Sequence, residues 1–256
     1  MPRAPMIDLH CHILPGVDDG ARTLEDAVAL CRLAAADGCT AMIATPHQRR
    51  GEWWNDDREQ LRQLVGQVQE AVGDGIAVRL GGEIHVDPDL LAEVERLPDG
   101  GIQPLAGSRY LLIELDVYTT PAAAIHLIHE TVVAGWRPIL AHPELIPWLS
   151  PDMEMLHRFV GLGATAQVTA MSLTGAFGRR PQHEAWRMLD AGLVHFVASD
   201  AHDVRRRPPG LRRAYQMITA RSGEETARRL TTDNPRAVLE DRPLPVRPPA
   251  GSGDDA

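Results

Sequence analysis

Every histidine or carboxylate with the look of a metal ligand in this chain lies at or just after the end of a short apolar run. The runs are Met6–Leu9, Thr40–Ala44, Ala77–Leu80, Tyr110–Leu115, Pro138–Ala141, Ala164–Val168 and His195–Ala198. Amphipathic helix patterns separate them, at Leu24–Asp37, Asp57–Val72, Pro121–Ala134, Met153–Gly161 and Gln182–Ala191. Strands alternating with helices predict a mostly parallel α/β sheet, closed or nearly closed, with its chemistry at the C-terminal strand ends. Such a rim gathers side chains that are distant in sequence. The distribution therefore points to a polynuclear metal site and metal-assisted hydrolysis.

The chain has 256 residues, of which 44% are apolar, enough for one large domain. We read residues 1–242 as that single domain, with terminal helices within 210–240. The stretch 243–256 is rich in Pro, Gly and Asp and reads as a disordered tail. The net charge of −9 argues against nucleic-acid binding and gives no attraction to anionic lipid. All 26 basic residues are Arg, so any cationic phosphate contact must be a guanidinium. Cys11, Cys31 and Cys39 are too sparse for a disulfide framework, and none is followed by Arg in the Cys-x5-Arg phosphate loop of thiol phosphatases. No signal peptide or membrane-length apolar run is visible, which predicts a cytoplasmic protein without membrane insertion.

His10 and His12 have the spacing that puts two imidazoles on one side of a strand. The acidic loop Gly16-Val17-Asp18-Asp19-Gly20 follows, and one of its aspartates reads as a ligand. His47, Glu83, Glu114 and His142 follow further strands, and Asp200 and His202 repeat the period-2 spacing after the last. A glutamate closing an apolar strand, as Glu114 does, is costly to bury without a cation or partner. Among the remaining histidines, His126 and His129 share a helix face and are expected at the surface, as are His157 and His183. His85 is read as facing away from Glu83, and His195 as beginning a strand. Trp53 and Trp54 are read as a substrate wall, a membrane-facing lip or simple packing. Asp233-Asn234-Pro235 reads as a helix start capped by Asn234. One arginine of Arg205-Arg206-Arg207 is expected to meet a substrate phosphate.

The ordered segments Asp-Leu-His-Cys-His (8–12), Val-Asp-Asp-Gly (17–20), Thr-Pro-His (45–47), Gly-Gly-Glu-Ile (81–84), Ser-Arg-Tyr-Leu-Leu-Ile-Glu (108–114), Ala-His-Pro-Glu (141–144), Ala-Ser-Asp-Ala-His (198–202), Arg-Pro-Pro (207–209) and Asp-Asn-Pro-Arg (233–236) carry a resemblance. Over residues 6–240 the chain resembles the bacterial metal-dependent protein-tyrosine phosphatases of capsular and exopolysaccharide operons. These belong to the polymerase-and-histidinol-phosphatase (PHP) superfamily. The resemblance implies a distorted (β/α)7 barrel with three Mn2+ ions. Its implied ligands are His10, His12, Asp19, His47, Glu83, Glu114, His142, Asp200 and His202, with Glu83 bridging and Arg207 holding phosphate. The implied substrate is the phosphorylated tail of a cognate tyrosine kinase. The ligand set itself suits Mn, Fe, Co or Zn and does not select among them.

Two departures stand out. Many relatives carry an Arg near the phosphate in the segment after the His142 equivalent, where this chain has Leu145. Where some place Asn after Gln-Val, this chain has Thr169. Arg49 and Arg50, or the 205–207 cluster, are the candidates to supply the lost charge, unless substrate preference differs. The expected reaction is in-line hydrolysis without a phosphoenzyme. Tyrosinate, with a reference pKa of about 10, needs only modest protonation on leaving. Asp200 or a water is the candidate donor. Two other readings are a phosphatase of a small phosphomonoester such as histidinol phosphate, and a weakly active regulator that binds phosphorylated kinase.

Overall fold

The computed structural model describes residues 5–97 and 99–244. Nine parallel-paired strands carry the fold: β1 Met6–Cys11, β2 Cys39–Ala44, β3 His47–Gln48, β4 Ala77–Leu80, β5 Glu83–His85, β6 Tyr110–Glu114, β7 Arg137–Ala141, β8 Thr165–Thr169 and β9 Phe196–Ala198. The helices are α1 Leu24–Asp37, α2 Arg58–Val72, α3 Leu90–Glu95, α4 Pro121–Val133, α5 Met153–Gly161, α6 Ala170–Leu173, α7 Arg179–Asp190, α8 Leu211–Ser222, α9 Glu224–Arg228 and α10 Asn234–Leu239.

The strands pair in the orders β1-β2-β4 and β3-β5-β6-β7-β8-β9. These are two parts of one cylinder. β3 continues β2 after Thr45-Pro46, and β5 continues β4 after Gly81-Gly82. Gly81 N donates to Ala44 O at 2.8 Å and Glu83 N to Pro46 O at 3.1 Å, which carries the ladder across both breaks. The cylinder therefore has seven staves. Its first and last are joined where Asp200 N donates to His10 O and His12 N to Ala201 O, both at 2.8 Å. Asp8 reinforces this seam by accepting from Ser199 N at 2.9 Å and Ser199 Oγ at 2.5 Å. The expected distorted (β/α)7 barrel is the observed fold.

Alternation along the strands builds two apolar layers. Ile7, Leu9, Ala41, Ile43, Tyr110, Leu112, Ile139, Ala141, Phe196 and Ala198 fill the barrel interior. Their neighbours, among them Met42, Leu111, Ile113, Leu140, Val168 and Val197, face the helices. On β6 the inward series Tyr110, Leu112 ends in Glu114, so strand period alone delivers that carboxylate to the rim. β1 behaves differently. Leu9 lies in the inner cluster and Cys11, two residues on, in the outer one. A register shift between Asp8 and Cys11 breaks the alternation, and this irregularity turns His10 and His12 toward the interior above Leu9.

Several sequence expectations are met in detail. Thr23 caps α1 by accepting from Asp26 N at 3.3 Å, and Gly38 ends it in the left-handed region at φ 106°. Cys31 is buried in the core. Other expectations are corrected. Asn234 is not a cap: a π-helical turn over Arg229–Asp233 runs straight into α10, and Asn234 Nδ2 instead donates to His195 O at 2.7 Å. Leu244, just past the expected end of the domain, packs against the inner cluster. Residues 245–256 of the expected tail lie outside the described residues. Among the described residues no helix is long and apolar enough to cross a membrane.

Candidate metal centre

The nine residues expected as ligands meet at the C-terminal end of the barrel. They form four overlapping groups in which one donor atom per residue lies within 4.8 Å of the others: His12-Asp19-His47-His202, His10-His12-Glu83, His10-His142-Asp200 and His47-Glu83-Glu114. Glu83 sits at the middle. Its carboxylate lies 3.3 Å from His10 Nε2, 3.4 Å from His12 Nε2, and 2.8 Å from both His47 Nδ1 and His142 Nε2. All but Asp19 and His142 are buried.

Neighbouring groups fix which ring nitrogen points inward. His10 Nδ1 meets Gln167 Oε1 at 2.9 Å, His12 Nδ1 meets Asp18 Oδ2 at 2.8 Å, and His202 Nδ1 meets the Asp200 carbonyl at 2.9 Å. Each of these oxygens can only accept a hydrogen bond, so the ring donates from Nδ1 and keeps the Nε2 lone pair for the centre. Asp18 also accepts from His47 N at 3.1 Å and Gly20 N at 2.9 Å. The two adjacent aspartates thus divide their roles: Asp18 orients, and Asp19 reaches His47 and His202 at 3.4 and 3.2 Å. Gly20 makes this loop feasible, since a Cβ there would stand 2.1 Å from His12 O. Backbone strain is also concentrated here, with His142 at φ 33° and Asp200 at φ 54°.

The donor set fits divalent cations. His142 Nδ1 is buried without a hydrogen-bond partner, and Glu83 Oε2 makes no well-aligned hydrogen bond although His47 Nδ1 stands 2.8 Å away, which is unusual for polar atoms in a folded interior. The mutual fields are strong. Burial opposes charge on Glu83, but His10 and His47 hold its carboxyl well below the usual range. Burial likewise disfavours the His142 imidazolium, yet Glu83, Asp200 and Glu114 push its pKa up to about 9. Against burial, His10, His12 and Arg207 keep the Asp200 carboxyl low. These neighbours favour the ionised form of Asp200.

A cleft of about 460 Å³ opens over the centre. Arg207 enters it, with Nη2 2.5 Å from Asp200 Oδ2 and Nη1 3.1 Å from His202 Nε2, while its buried Nε has no partner. Arg50 enters from the other side, with Nη1 2.6 Å from His47 Nε2 and 3.4 Å from Glu114 Oε1. Arg49 does not join it. This expected phosphate contact is turned away, paired with Asp87 at 2.5 and 3.1 Å and lying 5.1 Å over Trp54. Arg49 itself lies in the left-handed region, at φ 62°. Trp53 packs flat on His47, with ring centroids 5.3 Å apart. Arg205 and Arg206 also face away from this cleft, toward a neighbouring groove.

His85 is a correction and a residue that sequence reasoning missed. It shares a strand face with Glu83, two residues before it, and lines the cleft. It lies 3.3 Å from Glu114 and 3.4 Å from Asp116. Gln167 was equally unassigned, because a neutral amide within a strand carries no ligand signal. His126 and His129 are exposed, as expected, and so are His157 and His183. His195 precedes β9, where its Nδ1 accepts from Ala166 N at 3.2 Å. All three cysteines are buried, and burial raises each thiol pKa, so none is a usable nucleophile.

Fold and centre together define a (β/α)7-barrel protein built around a clustered histidine–carboxylate site at its strand ends. The family described as capsular polysaccharide synthesis, CpsB/CapC, matches residues 6–240, and the chain belongs to it. It is 32% identical to the tyrosine-protein phosphatase YwqE of Bacillus subtilis, over 95% of each chain. It is 30% identical to the tyrosine-protein phosphatase CpsB of Streptococcus pneumoniae, over 93% of this chain and 99% of that one. A solved structure from work on YwqE and CpsB, reported as unique metal-dependent tyrosine phosphatases, superposes with a TM-score of 0.87. That match has 31% identity and covers 95% of this chain and 100% of the other.

Proposed function

We propose that this chain hydrolyses phosphotyrosine on the tail of a cytoplasmic bacterial tyrosine kinase that governs polysaccharide synthesis or export. Its ligands are His10, His12, Asp19, His47, Glu83, Glu114, His142, Asp200 and His202, holding up to three divalent ions, with Mn2+ the first candidate. The observation that carries this reading is the convergence of all nine donors beneath a cleft that two arginines enter and no thiol can serve. Ions held there would supply the Lewis acidity that activates water and offsets charge on the phosphoryl oxygens.

The protein's own groups supply the rest. Arg207 presents a guanidinium whose fork matches two phosphate oxygens, braced from behind by Asp200. Arg50, at the opposite edge, meets the phosphate from the side of His47 and Glu114. It takes over the charge that many relatives place where Leu145 stands. Leu145, Ile146, Pro147, Val117 and Tyr118 form an apolar wall on which the tyrosyl ring rests. Asp116 holds that wall's loop by accepting from Tyr118 N at 2.8 Å and Thr119 N at 2.7 Å.

The test is kinetic. Chelation abolishes hydrolysis of a phosphotyrosine peptide and Mn2+ restores it. Arg207→Ala lowers kcat/KM by roughly tenfold to a thousandfold, about 1.4–4 kcal/mol, with bound metal unchanged. Arg207→Lys recovers only part, and Leu145→Arg partly rescues Arg207→Ala. Full activity in a demonstrably metal-free sample overturns the reading. An unaltered Arg207→Ala enzyme moves the phosphate contact to Arg50.

A further inference from the structure

A second groove, of about 490 Å³, meets the first at a ridge where His202 lines both and Asp19 lines the second. Both ridge residues belong to the metal centre, so the groove begins where the reacting phosphate would sit. Its rim carries Arg22, Arg205 and Arg206, all exposed. Here none of the three guanidinium groups has a carboxylate within 4.0 Å among the described residues.

The acids nearby are already committed. Asp26 Oδ2 accepts from Arg22 N at 3.3 Å, and Asp203 Oδ1 accepts from the backbone N of both Arg205 and Arg206 at 2.6 Å. Asp19 faces His47 and His202. These contacts also fix the backbone of the arginine-bearing loops while leaving their side chains outward. The loop after His202 is held again by Arg207 O, which accepts from His202 N at 2.9 Å. Three exposed guanidinium groups without a carboxylate partner therefore line a groove that adjoins the centre.

We propose that this groove is a second anion subsite, which selects peptides carrying another negative group beside the phosphotyrosine being cleaved. This rests on the phosphatase reading. The tyrosyl ring occupies the first cleft, its phosphate lies at the centre, and the flanking chain crosses the ridge to place an anion among Arg22, Arg205 and Arg206. The anion is either a carboxylate side chain or a second phosphotyrosine.

The experiment uses the full Mn2+-loaded chain and four substrates: p-nitrophenyl phosphate, and phosphotyrosine peptides with neutral, Asp/Glu or second-phosphotyrosine flanks on either side. The wild type prefers the anionic peptides. The triple variant Arg22→Ala/Arg205→Ala/Arg206→Ala lowers kcat/KM on them about tenfold or more, mainly through KM, and removes the preference. Its rate on p-nitrophenyl phosphate stays within about twofold, and Lys at all three positions restores much of the preference. The ratio between the two anionic flanks separates carboxylate from phosphate recognition. Equal wild-type kcat/KM on neutral and anionic peptides overturns the subsite, and so does an equal loss on every substrate. Binding of the same peptides, with a non-hydrolysable phosphonate in place of the phosphate, decides the subsite even if turnover is absent. Absent turnover would instead sink the phosphatase reading.

Discussion

Asp18→Asn probes the centre without touching a proposed ligand. Asp18 has no exposed side-chain surface and accepts three hydrogen bonds: from His12 Nδ1 at 2.8 Å, His47 N at 3.1 Å and Gly20 N at 2.9 Å. Asparagine has nearly the same shape but only one acceptor oxygen. Placed toward His12 and His47, that oxygen leaves the NH2 facing the Gly20 N–H. Turned round, it leaves the NH2 facing His12 Nδ1. His12 can relieve the second clash only by moving its proton to Nε2, the nitrogen that faces Glu83 and Asp200. A protonated Nε2 cannot ligate. Outer partners of ligating histidines are worth roughly ten- to a hundredfold in metal affinity, or about 1.4–2.8 kcal/mol. At fixed excess Mn2+ the stabilisation by binding falls by the same amount, lowering Tm by roughly 3–10 °C in a domain of this size. The assay is a chelator competition for Mn2+ affinity, paired with melting curves in Mn2+ and in EDTA. A Kd within twofold of wild type refutes the argument. So does a Tm loss that is equal with and without metal, because that would make Asp18 a purely structural acceptor.

Other expectations follow from the same geometry. Cys31→Ala and Cys39→Ala retain Mn2+-dependent activity, since both thiols are buried and protonated; loss of turnover with metal content intact would restore a role for a cysteine. Arg50→Ala lowers kcat/KM on aryl phosphates about tenfold, whereas Arg49→Ala leaves it near wild type and lowers Tm, because Arg49 is held by Asp87 and Trp54. The reverse ranking in parallel kinetics would exchange their assignments. Burial lowers the His195 pKa to about 4, so the unfolded chain takes up this proton first, and its share of stability falls as pH drops from about 6.5 toward 4. His195→Gln should flatten that acid limb in denaturant titrations of EDTA-treated protein at pH 7 and pH 5, and an unchanged pH dependence counts against it.

The barrel and the gathering of ligands were legible because both follow from periodicity. Apolar runs of strand length name the staves, and a polar residue just past each run must lie on the rim. Arithmetic of the same kind places Glu114 inward after Tyr110 and Leu112. It places His85 beside Glu83 as well, and the contrary reading failed only by assigning residues two apart to opposite faces. What stayed hidden depends on backbone irregularity. His10 and His12 face inward because the β1 register shifts after Asp8, and a regular strand continuing from Leu9 would have pointed Cys11 into the site. Arg49 and Arg50 are adjacent and chemically equal, yet only Arg50 lines the cleft, while Asp87 and Trp54 hold Arg49 elsewhere.

The residues that orient the ligands were the least legible, for a chemical reason. A ligand must be a histidine or a carboxylate, so composition marks it. The partner that fixes its tautomer need only offer an oxygen. At this site that oxygen comes from an amide (Gln167), a second aspartate beside a ligand (Asp18) and a main-chain carbonyl (Asp200). No residue type is common to the three, and the last has no side-chain signature at all. Yet each performs the same task of holding Nδ1 as the donor so that Nε2 faces the centre. Two sequences with identical ligands could therefore differ in metal affinity through positions that no ligand pattern names.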